Sequence, residues 1–373
     1  MRPRTFGVEE ELLLVDPESA APRAVSEAVI RFAREGGGPP PLSVPRAAET
    51  FETELQRQQL ETGTPPCVSL DELARHVRDA RRAAAAAAAE AGASVAALAT
   101  CPVRVHPALT PSNRYRRMAD AYGLTADEQL TCGCHVHVGI GSPEEGVGVL
   151  DRIRPWLPPL LAISANSPFW QGRDSGYASW RQQVWWRWPT SGPTQLFGSA
   201  ANYRATVDAL LATGTLLDEG MVYFDARLSR HYPTVEVRVA DVCLRASDAG
   251  LLAGLVRGLV DTAAREWRRQ RPPDPVRTDL LRLAMWRASR SGLEDDLVHP
   301  VSRHAAPARE VVGALLDHVR PALERNGDLE TVERLLERVV AEGTGARRQR
   351  RVYRETGDMA EVVADAVRRT TAD

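Results

Sequence analysis

The 373-residue chain contains no lysine, so all 47 of its basic residues are arginine. Chemistry that needs a side-chain amine is thereby excluded: a Walker P-loop, a protein-kinase site, a pyridoxal-phosphate aldimine or a Schiff-base aldolase. Phosphate, if handled at all, falls to arginine, metal ions or backbone amides. A strong net charge is also missing. The basic residues face 49 Asp+Glu for a total of −2, which gives no general attraction to nucleic acid or an anionic membrane, and neither is expected as a partner. No apolar run approaches membrane-spanning length, and the N-terminal MRPRTFGVEEELLLVD carries three glutamates where a signal peptide is apolar. Cysteine is scarce: five thiols, at 67, 101, 132, 134 and 243, are odd in number and scattered. They fit reduced thiols in a cytoplasm better than a disulfide framework.

What is present suffices for a real core, with 43% hydrophobic residues. Strands are expected at 6–16, 93–103, 131–140 and 234–240, and the Pro/Gly-rich passage around 36–46 reads as a loop. Ser69 can cap a helix that starts at Leu70 and runs through seven alanines at 83–89, and Ser112 can cap another. A helix is expected from about 143 to 165, followed by a connection from 168 to 200 rich in tryptophan and arginine. Further helices follow at 247–270, 276–291, 307–325, 328–342 and 357–370. Strands first and then a run of helices is an α+β arrangement, read as a single catalytic domain, strand-rich over 1–245 and helical over 246–373.

Alternation of strand side chains sorts the chemistry. In TCGCHVHVGI, Cys132, Cys134, Val136 and Val138 share one face and His135 and His137 the other. That division argues against a zinc site built from the two cysteines and the two histidines. In TVEVRVADV, Glu236 and Arg238 point away from Val235, Val237 and Val239. In GVEEELLLVD, Glu9 and Glu11 share a face opposite Val8, Leu12 and Leu14, which leaves Glu10 on the apolar side in need of its own partner. Two co-facing carboxylates about 7 Å apart repel unless a cation sits between them or one is protonated. Glu54 and Glu61, seven apart, fall on opposite faces of a regular strand, so their co-facing requires a bulge or loop. Together these groups make an oxygen-rich set suited to Mg²⁺ or Mn²⁺.

Residues 168–193 hold five of the eight tryptophans together with Arg173, Arg181 and Arg187, a candidate cover whose arginine forks suit a carboxylated substrate. GTGARRQRRVY at 343–353, with Arg348, is a second candidate lid able to reach nucleotide, or else a basic interhelical loop. His76, His106, His299, His304 and His318 carry no pattern.

GVEEE, an acidic stretch ending LETGTP, CHVHVG, SPFWQGRDSGYASWR and TVEVRVADV, in that order from about residue 4 to residue 355, resemble the carboxylate-amine ligases of the glutamate-cysteine ligase type 2 group. The resemblance implies a glutamine-synthetase-like fold, a curved antiparallel sheet forming a funnel with flanking helices and a helical C-terminal third. It implies an ATP-dependent carbon-nitrogen ligase of weak glutamate-cysteine ligase type. That activity works through γ-glutamyl phosphate, releases ADP and phosphate, and uses Mg²⁺ or Mn²⁺. Carried over by position, Glu9, Glu11, Glu54, Glu61, His135 and Glu236 would form the metal shell, Arg238 would touch nucleotide or acyl phosphate, and His137 would face substrate. The partners implied are ATP, glutamate or another carboxylate, and cysteine or another amine, with a homodimer as a further expectation. Glu236→Gln is expected to abolish turnover and leave the thermal transition unchanged or raised. Two rivals are a metal-dependent hydrolase that reads His135-Val136-His137 as a ligand pair, and a nonenzymatic amino-acid or nucleotide binder on the same fold.

Overall fold

A computed structural model describes residues 3–35 and 51–372; the passage at 36–46 lies outside the described residues. In chain order the strands are β1 (Phe6–Val15), β2 (Phe51–Thr53), β3 (Gln59–Gly63), β4 (Ser94–Ala96), β5 (Gly133–Gly139), β6 (Phe169–Trp170), β7 (Arg173–Asp174), β8 (Ala226–Leu228), β9 (Thr234–Asp241), β10 (Asp296–Val298) and β11 (Ala305–Pro307). One antiparallel sheet runs β2-β3-β1-β5-β9-β8, while β6-β7 and β10-β11 are separate ribbons. Leu13 faces Gln59 on one side and Ala96 on the other, so β4 continues the edge of β1 that β5 leaves free.

The helices are α1 (Ser26–Glu35), α2 (Leu70–Glu90), α3 (Asn113–Tyr122), α4 (Leu124–Asp127), α5 (Pro143–Ile153), α6 (Leu157–Ser164), α7 (Trp180–Trp185), α8 (Ala200–Ala212), α9 (Ala246–Arg268), α10 (Thr278–Ser291), α11 (Ala308–Asn326), α12 (Leu329–Glu342), α13 (Gly345–Thr356) and α14 (Met359–Thr370). Ser69 and Ser112 do cap α2 and α3, accepting from Glu72 N at 3.2 Å and Tyr115 N at 3.0 Å. The helix expected over 143–165 is two helices joined by a 3-10 turn at Arg154–Trp156, because Pro155, Pro158 and Pro159 lack the amide that would continue one ladder. No described helix is long and apolar enough to cross a membrane.

Parity decides which face of the sheet is core. Val8, Cys134, Val136, Val138, Val235 and Val237 lie on one side, packed with α9, whose 16 buried residues of 23 reflect its enclosure by the sheet, α2, α5, α11 and α12. Glu10 lies on this apolar face and is matched by Arg81 of α2, with Nε and Nη2 donating to its two oxygens at 2.8 and 2.7 Å. Both groups are buried, so the pair demands this fork geometry to offset desolvation.

The opposite face collects the polar side chains. The β2-β3 register sets Glu52 opposite Glu61, and β1-β3 sets Glu11 opposite Glu61. The chain reverses between β2 and β3, and Glu54 lies in that connection, directly after the last residue of β2. Even positions of β2 share a face with odd positions of β3, and of the bulge or loop expected for Glu54 it is the loop that brings it to Glu61. A bulge does occur elsewhere, where β9 fits an extra residue against His135 between the Cys134–Ala240 and Val136–Val237 pairs. It returns Asp241 to the polar face, where its carboxylate holds Ser167 and Ser179 at 2.7 and 2.8 Å.

Candidate active site

Three neighbouring strands place Glu9, His135 and Glu236 with ligand atoms all within 4.8 Å of one another, and β1 with the β2-β3 hairpin does the same for Glu11, Glu54 and Glu61. Both sets line one cavity of about 350 Å³, which His137 and Arg238 also face. Tyr115, Trp185, Trp188 and Tyr223 give it an aromatic side. A larger cavity of about 1,020 Å³ at the strand ends shares Glu9, Glu52, Glu61, His137 and Tyr232 with the first.

Electrostatics divide the two sets. Burial would raise the Glu9 carboxyl, but His135 and His137 override it and hold it far below the usual range. Burial is likewise overridden at Glu236, where Arg238 and Arg227 hold the carboxylate ionised; Arg227 Nε donates to it at 2.7 Å and Arg238 pairs directly with it. Burial, helped by Arg238, lowers the His135 imidazole to about 4, so it is neutral at pH 7 and its buried Nε2 has no protein partner. His137 moves the other way: the Glu9 carboxylate at 3.2 Å outweighs burial and favours imidazolium. In the second set, burial and the Glu54 charge push Glu11 up to about 7, and burial with contact to Glu54 carries Glu61 well above the carboxylate range.

The donor chemistry fits divalent cations. Five carboxylates and a neutral imidazole are hard, oxygen-dominated ligands, and the proton retention of Glu11 and Glu61 is what crowded acids do where positive charge is wanting. Glu236 needs a correction. Its carboxylate is the counter-charge of two arginines as well as a candidate ligand, so removing it leaves the buried Arg238 and the half-buried Arg227 without their carboxylate, and Glu236→Gln is expected to lower stability.

Arg181 is not at the cavity wall as a substrate ligand. It is 1% exposed and lies against Gly133, where a Cβ would collide with its guanidinium, and it reaches the Val239 and Arg238 carbonyls at 3.4 and 3.3 Å. From there it supports the floor beneath Glu11. Arg173, Arg187 and Arg348 line neither cavity. Arg173 is exposed on the β6-β7 ribbon, and Arg187 pairs with Glu128. Arg348 is forked onto Asp365 at 2.9 and 2.6 Å. The 343–353 segment is largely helix α13, anchored through Ala346, Gln349 and Val352, so it is neither a flexible lid nor a loop. Of the tryptophans at 168–193, Trp185 and Trp188 line the cavity. Cys132 and Cys134 are buried in the apolar clusters away from the histidines, as parity indicates.

Sequence reasoning missed Glu52, Arg114, Gln129, Tyr223, Arg227 and Tyr232. The alternation of FETE would have found Glu52 beside Glu54. Arg227 lies on β8, a three-residue strand too short to show a period.

An antiparallel sheet whose polar face carries two acidic clusters, backed by helices, is the α+β fold of the glutamine-synthetase-like ligases. The chain belongs to glutamate-cysteine ligase family 2, which it matches over residues 5–368, and is an enzyme of the ATP-dependent ligase type. It is 53% identical over 369 residues to a Streptomyces coelicolor protein provisionally named glutamate–cysteine ligase 2, with 99% of each chain covered. It is 52% identical over 367 residues to a Streptomyces avermitilis protein provisionally named glutamate–cysteine ligase 2-1, covering 98% of this chain and 99% of that one. Among solved structures, the glutamate–cysteine ligase of Francisella tularensis in complex with AMP superposes with a TM-score of 0.70 at 14% identity, covering 100% of this chain and 89% of that one. The bifunctional glutathione synthetase of Pasteurella multocida gives 0.70 at 16%, with this chain spanning 52% of that protein. The ligase PafA, in complex with the ubiquitin-like protein Pup, gives 0.56 at 15%, covering 99% and 74%.

Proposed function

We propose that the protein joins a carboxylate, glutamate or a close analogue, to an amine through an acyl phosphate, consuming ATP and releasing ADP and phosphate. The observation that carries this reading is the pair of ligand sets, Glu9/His135/Glu236 and Glu11/Glu54/Glu61, facing one cavity from adjacent strands. Those six residues would hold Mg²⁺ or Mn²⁺, which when bound neutralises the repulsion between a carboxylate and a triphosphate.

The chain's own groups do the rest. Arg238, held by Glu236 and lying 5.9 Å from the Trp185 ring, presents an unpartnered buried Nε toward charge that develops on the transferred phosphoryl group. Arg227 fixes Glu236 from the other side, so both arginines are positioned before substrate arrives. His137, with Nε2 3.2 Å from Glu9 and Nδ1 3.0 Å from Thr234 Oγ1, fixes the orientation of Glu9 at the cavity. The larger cavity suits the body of the nucleotide, and the smaller one suits the acid and amine. The aromatic wall of Tyr115, Trp185, Trp188 and Tyr223 keeps water from the acyl phosphate, which the amine then attacks with loss of phosphate.

The hydrolase reading lacks support, because His135 and His137 lie on an antiparallel sheet and no described histidine joins them in a ligand set. The test is ADP release by purified protein with Mg²⁺, ATP and glutamate, with and without cysteine and a panel of other amines. Amine-dependent ADP is expected. ATP-independent hydrolysis, or ligand binding without turnover, would overturn the reading.

A further inference from the structure

The five cysteines are all buried and unbridged. Among the described cysteines Cys67 alone belongs to a set of three candidate metal ligands: its Sγ, a Glu72 carboxylate oxygen and a His76 ring nitrogen lie within 4.8 Å of one another. They come from one short stretch of chain. Cys67 exchanges two backbone hydrogen bonds with Phe6, at 3.0 and 2.8 Å, and so is fixed to the edge of β1. Helix α2 begins three residues later, and Glu72 and His76, four apart, stack on one of its faces.

We propose that Cys67, Glu72 and His76 form a second metal site, separate from the acidic basin, which takes a borderline-soft divalent cation of the zinc type with solvent completing its shell. One thiolate, one imidazole and one carboxylate select such an ion over Mg²⁺, whereas the basin, made of five carboxylates and one imidazole, selects the reverse. The two sites therefore differ in the ion each prefers. Glu72 and His76 are half-buried, which leaves the ion a path from solvent, while Cys67 is fully buried.

A simpler reading of Glu72 is a helix cap, since one of its oxygens accepts from Val68 N at 3.0 Å. The cap leaves its second oxygen available and accounts for neither Cys67 nor His76. Burial, with Glu72 nearby, pushes the Cys67 thiol up to about 12, so without an ion it keeps its proton and donates to the Pro65 carbonyl at 3.2 Å. Formation of the sulfur–metal bond releases that proton to solvent, and affinity falls as the pH is lowered. Pro65 and Pro66 line the larger cavity and follow Glu61 on the same stretch, so an ion here pins the rim of that cavity to α2.

The experiment titrates Co²⁺ into the tag-free, full-length protein and follows the thiolate-to-cobalt charge-transfer band in the near ultraviolet, with Zn²⁺ as competitor. The band is expected to appear, to be bleached by Zn²⁺ and to vanish in Cys67→Ser. His76→Ala and Glu72→Gln, at half-buried positions, are expected to weaken Co²⁺ binding about tenfold or more while keeping wild-type ADP release with Mg²⁺ and ATP. The band should survive in Glu11→Gln, which separates this site from the basin. No band at saturating Co²⁺, or a band that persists in Cys67→Ser, would overturn the proposal.

Discussion

Replacing Glu11 by glutamine should make the metal-free protein more stable while it destroys activity. Glu11, Glu54 and Glu61 crowd their oxygens within 4.8 Å, and burial with the Glu54 charge moves the Glu11 carboxyl from 4.5 up to about 7. Ionising it in the native state at pH 8 therefore costs about 3 kcal/mol relative to the unfolded chain, as an order of magnitude. The sign follows from proton counting. Between 4.5 and 7 the folded form holds a proton that the unfolded form has released, so stability from this group rises as the pH falls through 7 and levels off below 4.5. Glutamine removes the charge and keeps an oxygen to accept from Gly133 N, a bond of 2.7 Å in the native protein. In EDTA at pH 8 the variant should gain up to about 3 kcal/mol, several degrees in Tm, and the gain should shrink toward zero near pH 5. Added Mn²⁺ should raise the Tm of the wild type much more than that of the variant. Urea denaturation at pH 8 and pH 5, with EDTA and with Mn²⁺, reads all of this. A variant that is less stable than wild type in EDTA at pH 8, or a gain independent of pH, would refute the reasoning.

Three other variants probe the supporting structure. Glu236→Gln should also lose ADP release, but with a fall in stability of about 3 kcal/mol, because the buried Arg238 and the half-buried Arg227 lose their carboxylate; an unchanged urea midpoint would show that Glu236 does not hold them. Glu10→Gln should destabilise by about 3–5 kcal/mol through the buried Arg81 while leaving kcat of the folded enzyme near wild type, since Glu10 lies on the opposite face of the sheet; a specific loss of kcat would contradict that placement. Gly133→Ala should drive the Arg181 guanidinium off the strand, costing about 1–3 kcal/mol and lowering kcat; wild-type kinetics and stability would mean that Arg181 does not support the floor of the site.

The polar face of the sheet was legible because strand parity is strict. GVEEE, CHVHVG and TVEVR each sort their ligands by alternation, and neighbouring registers keep Glu9 beside His135 and His137 beside Glu236. The need of Glu10 for a partner was legible for the same reason, although Arg81 as that partner was not, since it lies 71 residues away. The Glu54–Glu61 relation was legible only as a choice between a bulge and a loop, and the structure has the loop, with Glu54 in the connection that follows β2. A hairpin reverses direction, and its pairing sum, not the count between residues, decides the face. The arginines misled for a different reason. Arg173, Arg181, Arg187 and Arg348 sit in a pattern that suits an anion, yet carboxylates distant in sequence, or backbone carbonyls, claim Arg181, Arg187 and Arg348. The basic run at 345–356 is helical because Ala346, Gln349 and Val352 recur every third residue, a short period masked by five arginines.

The most direct test follows oxygen. With glutamate labelled in its γ-carboxylate with heavy oxygen, ATP, Mg²⁺ and an amine that supports turnover, mass spectrometry of the released phosphate reads the path of the carboxylate. Activation in the acidic basin predicts one labelled oxygen in each phosphate formed together with ADP. Unlabelled phosphate accompanying amide formation would contradict attack by the carboxylate on ATP and remove the central claim.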